Sequence, residues 1–274
     1  MTTATDRSWR LIREEAWDGP VNMALDEVAA ATAAAGGPRT VRLYRWEPST
    51  LSLGYRQAPE TVDWEFCERE GITVTRRPTG GGGIYHDSYG DISYSIIAPA
   101  DELPGDLMES YELLCEPIFD GFERLGVEAT FAPESQPEIH EPACYLRELH
   151  PAHDVVVPEP GGARKLSGNA QYRRKDAIIQ HGSITFETRP ERHLGTFADP
   201  GTTPEEFEGR VTSIREHVDV TREEAVEAFE TTLAEWSGAE EGSWTDAELE
   251  AARERAEGKF ASAEWNRERV DPLA

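Results

Sequence analysis

Apolar residues recur along the first half of the chain with two different periods. Alternation with a period of two, typical of half-buried strands, predicts strands at residues 9–13, 40–46, 50–55, 72–77 and 91–98. Spacing with a helical period predicts helices at residues 21–35, 62–70 and 107–125. A glycine follows each predicted helix, as is common where helices end.

The second half of the chain is less regular. Residues 132–162 are rich in proline and are predicted to form a long surface loop around one strand, HDVVV. The segments RKLSGNAQYRR and AIIQHGSITFE alternate and predict a strand pair joined near Lys175 and Asp176. From about Pro204 the pattern is helical, with acidic amphipathic stretches at residues 223–236 and 247–257.

Strands and helices interleave, but short turns join several of the strands. This order predicts an α+β fold with a mixed, largely antiparallel sheet and flanking helices. A length of 274 residues favours one sizeable domain with an appendage. We therefore predict a main domain at residues 1–203 and a small, acidic, helical C-terminal part at residues 204–274.

The chain is strongly acidic, with 53 Asp and Glu against 27 Lys and Arg, a net charge of −26. Nucleic acid is excluded as a partner, because phosphate binding depends on clustered cations. The acids are spread along the whole chain, and seven tryptophans together with long periodic segments indicate a packed core. We predict an adaptation to high salt, where charge repulsion is screened over about 3 Å at 1 M.

Three features predict a soluble, cytoplasmic protein without a membrane partner. The start MTTATDRSWR has no apolar run typical of a signal peptide. No uncharged apolar stretch approaches the roughly 20 residues of a membrane span. Cys67, Cys115 and Cys144 form no C-x-x-C pair and suit a reducing compartment.

The segment RRPTGGGGIYHD carries the most informative pattern. Its four glycines, Gly80 to Gly83, lie between two predicted strands and leave a backbone that can point N–H groups at an anion or a carbonyl. Arg76 and Arg77 precede the run as candidate partners for a carboxylate or phosphate, and His86 follows it. A flexible hairpin loop is the alternative, and a P-loop is excluded because no Gly-Lys-Ser/Thr follows.

Lysine is scarce in this chain, where only Lys165, Lys175 and Lys259 occur beside many arginines. A lysine should persist where its compact ammonium cannot be exchanged, and Lys165 in KLSGNAQ is the strongest candidate. Its charge suits an acyl carboxylate or an adenylate phosphate. His181 in QHGSI, on the neighbouring predicted strand, is either a site residue or a satisfied core histidine.

Together these segments resemble the lipoate–protein ligase family over nearly the whole chain. The family pattern Arg-Arg-x-Ser/Thr-Gly-Gly-Gly, followed by an aromatic residue, His and Asp, is met by residues 76–87. The pattern Lys-hydrophobic-Ser/Ala-Gly-Ser/Asn-Ala is met by residues 165–170. The segments NMALDE, RLYRWEPSTLSLGY and FASAEWN are also similar to family segments.

The resemblance implies a class II synthetase or biotin-ligase type of domain that attaches lipoate or octanoate to a lysine of a partner protein. That partner would be the lipoyl domain of a 2-oxoacid dehydrogenase or the glycine cleavage H protein. Lys165 would contact the carboxyl and phosphate of an acyl-adenylate, and the glycine run would hold the activated carbonyl. The implied substrate-binding residues are Arg76, Arg77, Gly80, Gly81, Gly82, Gly83, His86, Ser167, Gly168, Asn169, Ala170, His181 and Gly182.

Two chemistries share this implied fold. Ligases use ATP and Mg²⁺ to make an acyl-AMP, whereas related octanoyltransferases use a cysteine to take octanoyl from an acyl carrier protein. The intact glycine run and the YHD sequence favour the ligase. QHGSI and Cys144, which lies in the loop before Lys165, favour the transferase. The balance favours ATP-dependent ligation, with Cys144 catalytic only in the transferase.

Two further interpretations are weaker. The histidines and cysteine at His140, Cys144, His150 and His153 match no standard zinc spacing, so no metal site is predicted. A non-catalytic protein that only binds lipoyl domains is disfavoured, because the arginine pair, the glycine run and Lys165 occur together.

Overall fold

A computed structural model describes residues 8–151 and 153–273. Residues 1–7, which include most of the stretch assessed above for a signal peptide, lie outside the described residues. The strands are β1 (Trp9–Trp17), β2 (Arg39–Trp46), β3 (Thr50–Leu53), β4 (Thr73–Arg76), β5 (Ile84–His86), β6 (Asp91–Pro99), β7 (Thr130–Phe131), β8 (Asp154–Val157), β9 (Arg164–Arg173), β10 (Ala177–Thr185) and β11 (Glu240–Glu241). The α-helices are α1 (Gly19–Ala34), α2 (Trp64–Arg69), α3 (Leu107–Leu125), α4 (Pro190–Gly195), α5 (Pro204–Arg210), α6 (Ile214–His217), α7 (Arg222–Ser237) and α8 (Asp246–Arg255).

The strands form two sheets. The larger sheet has the order β11-β1-β2-β6-β10-β9-β8-β7, in which β1 pairs in parallel with β11 and β2, and the other neighbours are antiparallel. The smaller sheet has the order β4-β3-β5, with β3 parallel to β4 and antiparallel to β5. The predicted mixed, largely antiparallel sheet with flanking helices is confirmed, including the β9–β10 pair.

The larger sheet carries a hydrophobic core on each face. Successive residues of a strand point to opposite faces, and Ile96 and Ile97 of β6 accordingly belong to different cores. One core packs the sheet against α3 and α7, as the burial of Phe122 and Phe229 shows. The other packs it against α1 and the segment after α8, through residues such as Met23. No helix within residues 8–151 and 153–273 is long and apolar enough to cross a membrane.

The helices after residue 203 contribute to both of these cores. Phe229 and Leu233 of α7 are buried in the first core, while Phe260 and Trp265 are buried in the second. The segment after residue 203 also adds a short edge strand to the larger sheet, since β11 pairs with β1. Residues before and after position 203 therefore share the same cores. The division into domains at residues 1–203 and 204–274 stays a prediction.

The prediction of a surface loop at residues 132–162 is wrong for the centre of that segment. Ala143, Tyr145 and Leu146 are buried in a third core beneath the smaller sheet. The backbone there is also paired with the glycine run: Gly83 N–H donates to the Pro142 carbonyl at 2.6 Å, and Cys144 N–H donates to the Gly83 carbonyl at 2.9 Å. We call residues 138–150 the cysteine loop.

Candidate active site

A cavity of about 400 Å³ lies between the glycine run, the cysteine loop and strands β9 and β10. Such a volume is typical of sites for small molecules. Its apolar wall is formed by Met23, Tyr44, Trp46, Ile84, Tyr111 and Ala170. Polar and reactive side chains also line the cavity, which therefore combines room for an apolar chain with a place for chemistry.

Most of the predicted site residues line this cavity. They are Arg77, Gly80, Gly81, His86, Cys144, Lys165, Gly168, Asn169, Ala170, His181 and Gly182. The structure does not bring Arg76, Gly82, Gly83 or Ser167 to its wall. Gly82 instead makes room for the cysteine loop, because a Cβ there would lie 2.5 Å from the Pro142 carbonyl oxygen.

Arg76 faces the interior of the protein, and this placement corrects its predicted role. Its side chain is fully buried. Its guanidinium donates to five backbone carbonyls, those of Gly54, Tyr55, Gln57, Trp265 and Asn266. Because its donors are used within the fold, Arg76 cannot offer the bidentate contact that was expected for a carboxylate or phosphate.

Arg77 holds the backbone of the glycine run through hydrogen bonds. Its guanidinium donates to the carbonyls of Gly80 at 2.8 Å and Gly82 at 2.7 Å, and to the Thr79 hydroxyl at 3.1 Å. The Gly80 carbonyl and the Gly81 N–H belong to the same trans peptide, in which the two groups point in opposite directions. Because the Gly80 carbonyl points at Arg77, the Gly81 N–H points away from Arg77. Within residues 8–151 and 153–273 this N–H has no hydrogen-bond acceptor.

Gly81 itself is required by the geometry of the run. Its φ of +92° lies in a region that residues with side chains rarely adopt. A Cβ at this position would also lie 2.8 Å from a guanidinium nitrogen of Arg77 and 3.8 Å from Cys144 Sγ. The last distance places the Cys144 thiol beside the glycine run.

Lys165 forms a buried ion pair at the cavity wall. Its side chain is 2% exposed, and its ammonium lies 2.7 Å from Asp154 Oδ1 and donates to the Cys144 carbonyl at 3.2 Å. Burial acts to lower the pKa of Lys165, but the charge and hydrogen bond of Asp154 together with the nearby Cys144 outweigh it and raise the pKa above its ordinary value. Burial acts to raise the pKa of Asp154, and the Lys165 ammonium together with His153 reverses this and holds the pKa well below its usual range. Both groups are therefore charged at neutral pH.

Cys144 differs from the other two cysteines. Cys67 and Cys115 are buried, and burial raises the pKa of each thiol to about 12. Cys144 is partly exposed and lines the cavity, at the start of a short 3-10 turn in the cysteine loop. The accessible thiol next to Gly81 and Lys165 is therefore the candidate nucleophile.

The two predicted histidines are both held inside the site. His86 contacts Ser52 Oγ at 2.9 Å and Asp91 at 3.2 Å, and it stacks on Trp46; burial lowers the pKa of its imidazole. His181 contacts Thr79 Oγ1 at 2.8 Å. Each ring thus has a structural partner, and both rings remain part of the cavity wall.

Strands β9 and β10 approach each other closely beside the cavity. A Cβ on Gly182 would lie 2.4 Å from the Asn169 side-chain oxygen, so glycine is needed there. Asn169 in turn accepts from Tyr94 at 2.6 Å and donates to the His153 carbonyl at 2.9 Å. Asn169 thereby holds the backbone just after the cysteine loop, next to Asp154.

Asp154 lines the cavity, and Thr79 and Asp26 lie next to His181 in its wall; none of the three was predicted from the sequence as a site residue. A single acid at the start of the apolar strand β8 was a usable signal for Asp154, because a buried carboxylate needs a cationic partner. Asp26 and Thr79 lie inside segments already noted, NMALDE and RRPTGGGG, but their partners are distant in sequence. The described ranges, 8–151 and 153–273, hold no group of three or more His, Cys, Asp or Glu side chains placed to bind a metal ion.

Comparison with known sequences gives a consistent family assignment. The family model described as the lipoyl protein ligase A/B catalytic domain matches residues 18–234. The octanoyltransferase LipM of Kyrpidia tusciae is 34% identical over an alignment that covers 95% of this chain and 98% of the relative. The octanoyltransferase LipM of Bacillus subtilis is 33% identical, with 96% of this chain and 99% of the relative covered.

Solved structures support the same fold. The bipartite lipoate protein ligase of Thermoplasma acidophilum, studied with its E2 lipoyl domain, has a TM-score of 0.78 at 24% identity and covers 96% of this chain and 97% of its own. A lipoate-protein ligase A bound with ATP has a TM-score of 0.79 at 24% identity, covering 96% of this chain and all of that one. The expected class II synthetase-like fold is therefore confirmed.

Proposed function

Because this chain belongs to the lipoyl protein ligase A/B catalytic-domain family, we propose that it transfers an octanoyl group from a carrier-protein thioester to a lysine of a lipoyl domain, with Cys144 as the nucleophile. The relatives of 30% identity or more that support this bear the name octanoyltransferase. The balance of sequence features favoured ATP-dependent ligation, and that preference is not confirmed.

The observation that carries the proposal is the placement of the Cys144 thiol. It lies beside Gly81 in a cavity with an apolar wall, and the ammonium of Lys165 donates to the backbone carbonyl of Cys144. A thiol, a backbone N–H and a fixed cation around one point are the groups that acyl transfer through a thioester requires. An enzyme that forms an acyl-adenylate has no need of the thiol.

In the first half of the reaction, the Cys144 thiolate attacks the carbonyl carbon of the donor thioester. The negative charge that develops on the carbonyl oxygen is stabilised by the Gly81 N–H, which has no acceptor of its own among the described residues. The bond between the acyl carbon and the carrier sulfur then breaks. The carrier leaves as a thiol after taking up one proton, and the octanoyl group is bound to Cys144 Sγ.

In the second half, the neutral ε-amine of the acceptor lysine attacks the same carbonyl carbon. An amide bond forms, the bond to Cys144 Sγ breaks, and the amine loses one proton, so Cys144 is regenerated as the thiolate. The Lys165 ammonium stabilises this thiolate electrostatically in both halves, and Asp154 keeps the ammonium charged. The apolar wall at Met23, Tyr44 and Trp46 accommodates the alkyl chain.

The test offers the same apo lipoyl domain two donors in separate reactions. One reaction contains octanoyl carrier protein without nucleotide, and the other contains lipoate, ATP and Mg²⁺. Mass spectrometry of the acceptor is expected to show octanoylation in the first reaction. Modification only in the second would instead support the ligase, which the intact run Gly80 to Gly83 favours.

A further inference from the structure

A buried hydrogen bond between Thr79 and His181 lies behind the glycine run, and the transfer described above does not use it. The two groups are 2.8 Å apart, from Thr79 Oγ1 to His181 Nε2. Thr79 is 2% exposed and His181 is 6% exposed.

The direction of this bond follows from its neighbours. Arg77 Nε donates to the same Thr79 oxygen at 3.1 Å, and a guanidinium can only donate. Donation of the hydroxyl proton to His181 Nε2 then satisfies both side chains. If Nε2 carried the proton instead, the buried Thr79 proton would have no acceptor within the described residues. His181 therefore accepts at Nε2 and carries its proton on Nδ1.

The other side of the imidazole faces a fixed charge. His181 Nδ1 lies 3.7 Å from Asp26 Oδ2. Arg42 Nε donates to Asp26 at 3.0 Å, and the Ser95 hydroxyl donates to it at 2.9 Å. Arg42 and Asp26 are both buried, so this pair is a rigid anchor on β2 and α1. The anchor favours the tautomer with the proton on Nδ1.

We propose that His181 is a positioning residue for the glycine run, and that it does not bind the acyl substrate. It holds Thr79, Thr79 holds the Arg77 guanidinium, and Arg77 holds the carbonyls of Gly80 and Gly82. This series of hydrogen bonds fixes the peptide whose N–H, that of Gly81, faces the developing oxyanion. The inference rests on the proposed transfer through Cys144.

A positioning role of this kind has a specific kinetic consequence. The Gly81 N–H interacts most strongly with the charged carbonyl oxygen of the transition state, so a misplaced run slows acylation and leaves donor binding largely intact. Reaction of Cys144 with iodoacetamide forms no oxyanion, because the attack occurs at a saturated carbon. Alkylation therefore reports the thiolate alone, and acylation reports the thiolate together with the glycine run.

The test compares both reactions in Thr79→Val, His181→Asn and the double variant. Single-turnover acylation by the octanoyl thioester of N-acetylcysteamine is followed without acceptor, and alkylation by iodoacetamide is measured in parallel. Thr79→Ser retains the hydroxyl and serves as the rescue. His217→Asn is the matched control, because His217 makes the same contact to a threonine, Thr212 Oγ1 at 2.8 Å, outside the cavity.

Thr79→Val and His181→Asn are each expected to lower the maximal acylation rate on the order of a hundredfold. Alkylation should stay within about twofold of wild type, and the double variant should lose no more than either single one. Thr79→Ser and His217→Asn should acylate at nearly the wild-type rate. Equal losses of acylation and alkylation, additive losses, or unchanged acylation in Thr79→Val would overturn the role of His181. A wild-type enzyme that forms no acyl-Cys144 would contradict the proposed transfer itself, and the inference with it.

Discussion

At the scale of single residues, the chemistry depends on how Lys165 is held. Its ammonium is buried and has three neighbouring groups: Asp154 Oδ1 at 2.7 Å, the Cys144 carbonyl at 3.2 Å and the Tyr145 ring at 5.2 Å. Scarcity alone does not identify this lysine, because Lys259 is also buried and pairs with Glu27 and Asp271. The position of Lys165 on the cavity wall is what separates the two.

Replacing Lys165 by arginine is expected to abolish most acyl transfer although the charge is retained. A guanidinium is larger and planar, so it cannot occupy the same point between Asp154 and the cysteine loop. Loss of such a charge contact in the transition state costs about 3 kcal/mol, on the order of a hundredfold in kcat. Steady-state octanoyl transfer measures this, with Lys175→Arg as the control at an exposed lysine. Near-normal turnover of Lys165→Arg would remove Lys165 from the mechanism.

Replacing Asp154 by asparagine is expected to change the pH dependence of acylation. With Asp154 present, the pKa of Lys165 is raised; without it, burial of the ammonium, the largest single effect, lowers that pKa. The ammonium is then lost at lower pH, so the alkaline limb of the pH–rate profile should move to lower pH. The single-turnover acylation rate across pH measures this limb. A limb that stays in place or moves up would show that the ammonium is not needed.

At the scale of elements, the loops around the cavity are fixed by parts of the chain that are far apart in sequence. Strand β4 leads into the glycine run, and Arg76 at its end binds both the segment after β3 and the C-terminal residues Trp265 and Asn266. The indole N–H of Trp265 returns a bond to the Arg76 carbonyl at 2.7 Å. The C-terminal segment therefore supports the base of the glycine run.

Removing this support is expected to destabilise the protein strongly. Arg76→Ala leaves several buried carbonyls without donors, so the free energy of unfolding should fall by about 3 kcal/mol or more. The exposed ion pair of Arg174 with Asp176 offers a control, and Arg174→Ala should change the same quantity by less than about 0.5 kcal/mol. Urea denaturation in molar salt measures both. Equally small decreases in the free energy of unfolding for Arg76→Ala and Arg174→Ala would mean that Arg76 does not stabilise the fold.

The strands and helices were predictable from local pattern, but the site was predictable only in part. Helix α3 has the predicted bounds because its apolar spacing is long and Gly126, with a φ of +80°, ends it. The cysteine loop gave no periodic signal, because its buried residues Ala143, Tyr145 and Leu146 pack into the third core from an irregular segment and not from an amphipathic helix or strand. The adjacent residues Arg76 and Arg77 gave the same sequence signal. Only the tertiary structure shows that Arg76 is buried within the fold and that Arg77 lines the cavity.

At the scale of the whole molecule, the net charge of −26 dominates the surface. Many of the arginines form ion pairs with acids, such as Arg10 with Glu248 and Arg222 with Glu14. The remaining acids repel one another, and this repulsion opposes folding where it is not screened. Adaptation to high salt remains a prediction, and it concerns the stability of the fold and not the chemistry of the cavity.

Thermal unfolding across a series of salt concentrations tests this prediction. Screening already limits charge interactions to about 8 Å at 0.15 M, so an ordinary protein gains little from more salt. For this chain the melting temperature is expected to keep rising from 0.15 M into the molar range, because its like charges are dense. A melting temperature that is constant above 0.15 M potassium chloride would argue against the adaptation.

The central claim is that octanoyl passes through a thioester on Cys144, and the mass of the enzyme without acceptor tests it most directly. After incubation with octanoyl carrier protein, the wild-type chain and the Cys67→Ala control should each gain one octanoyl group that hydroxylamine removes. Cys144→Ser should gain none and should not transfer octanoyl, because a serine hydroxyl lacks the nucleophilicity of a thiolate at neutral pH. A Cys144→Ser chain that still modifies the lipoyl domain from lipoate and ATP, with no adduct on the wild type, would contradict the account.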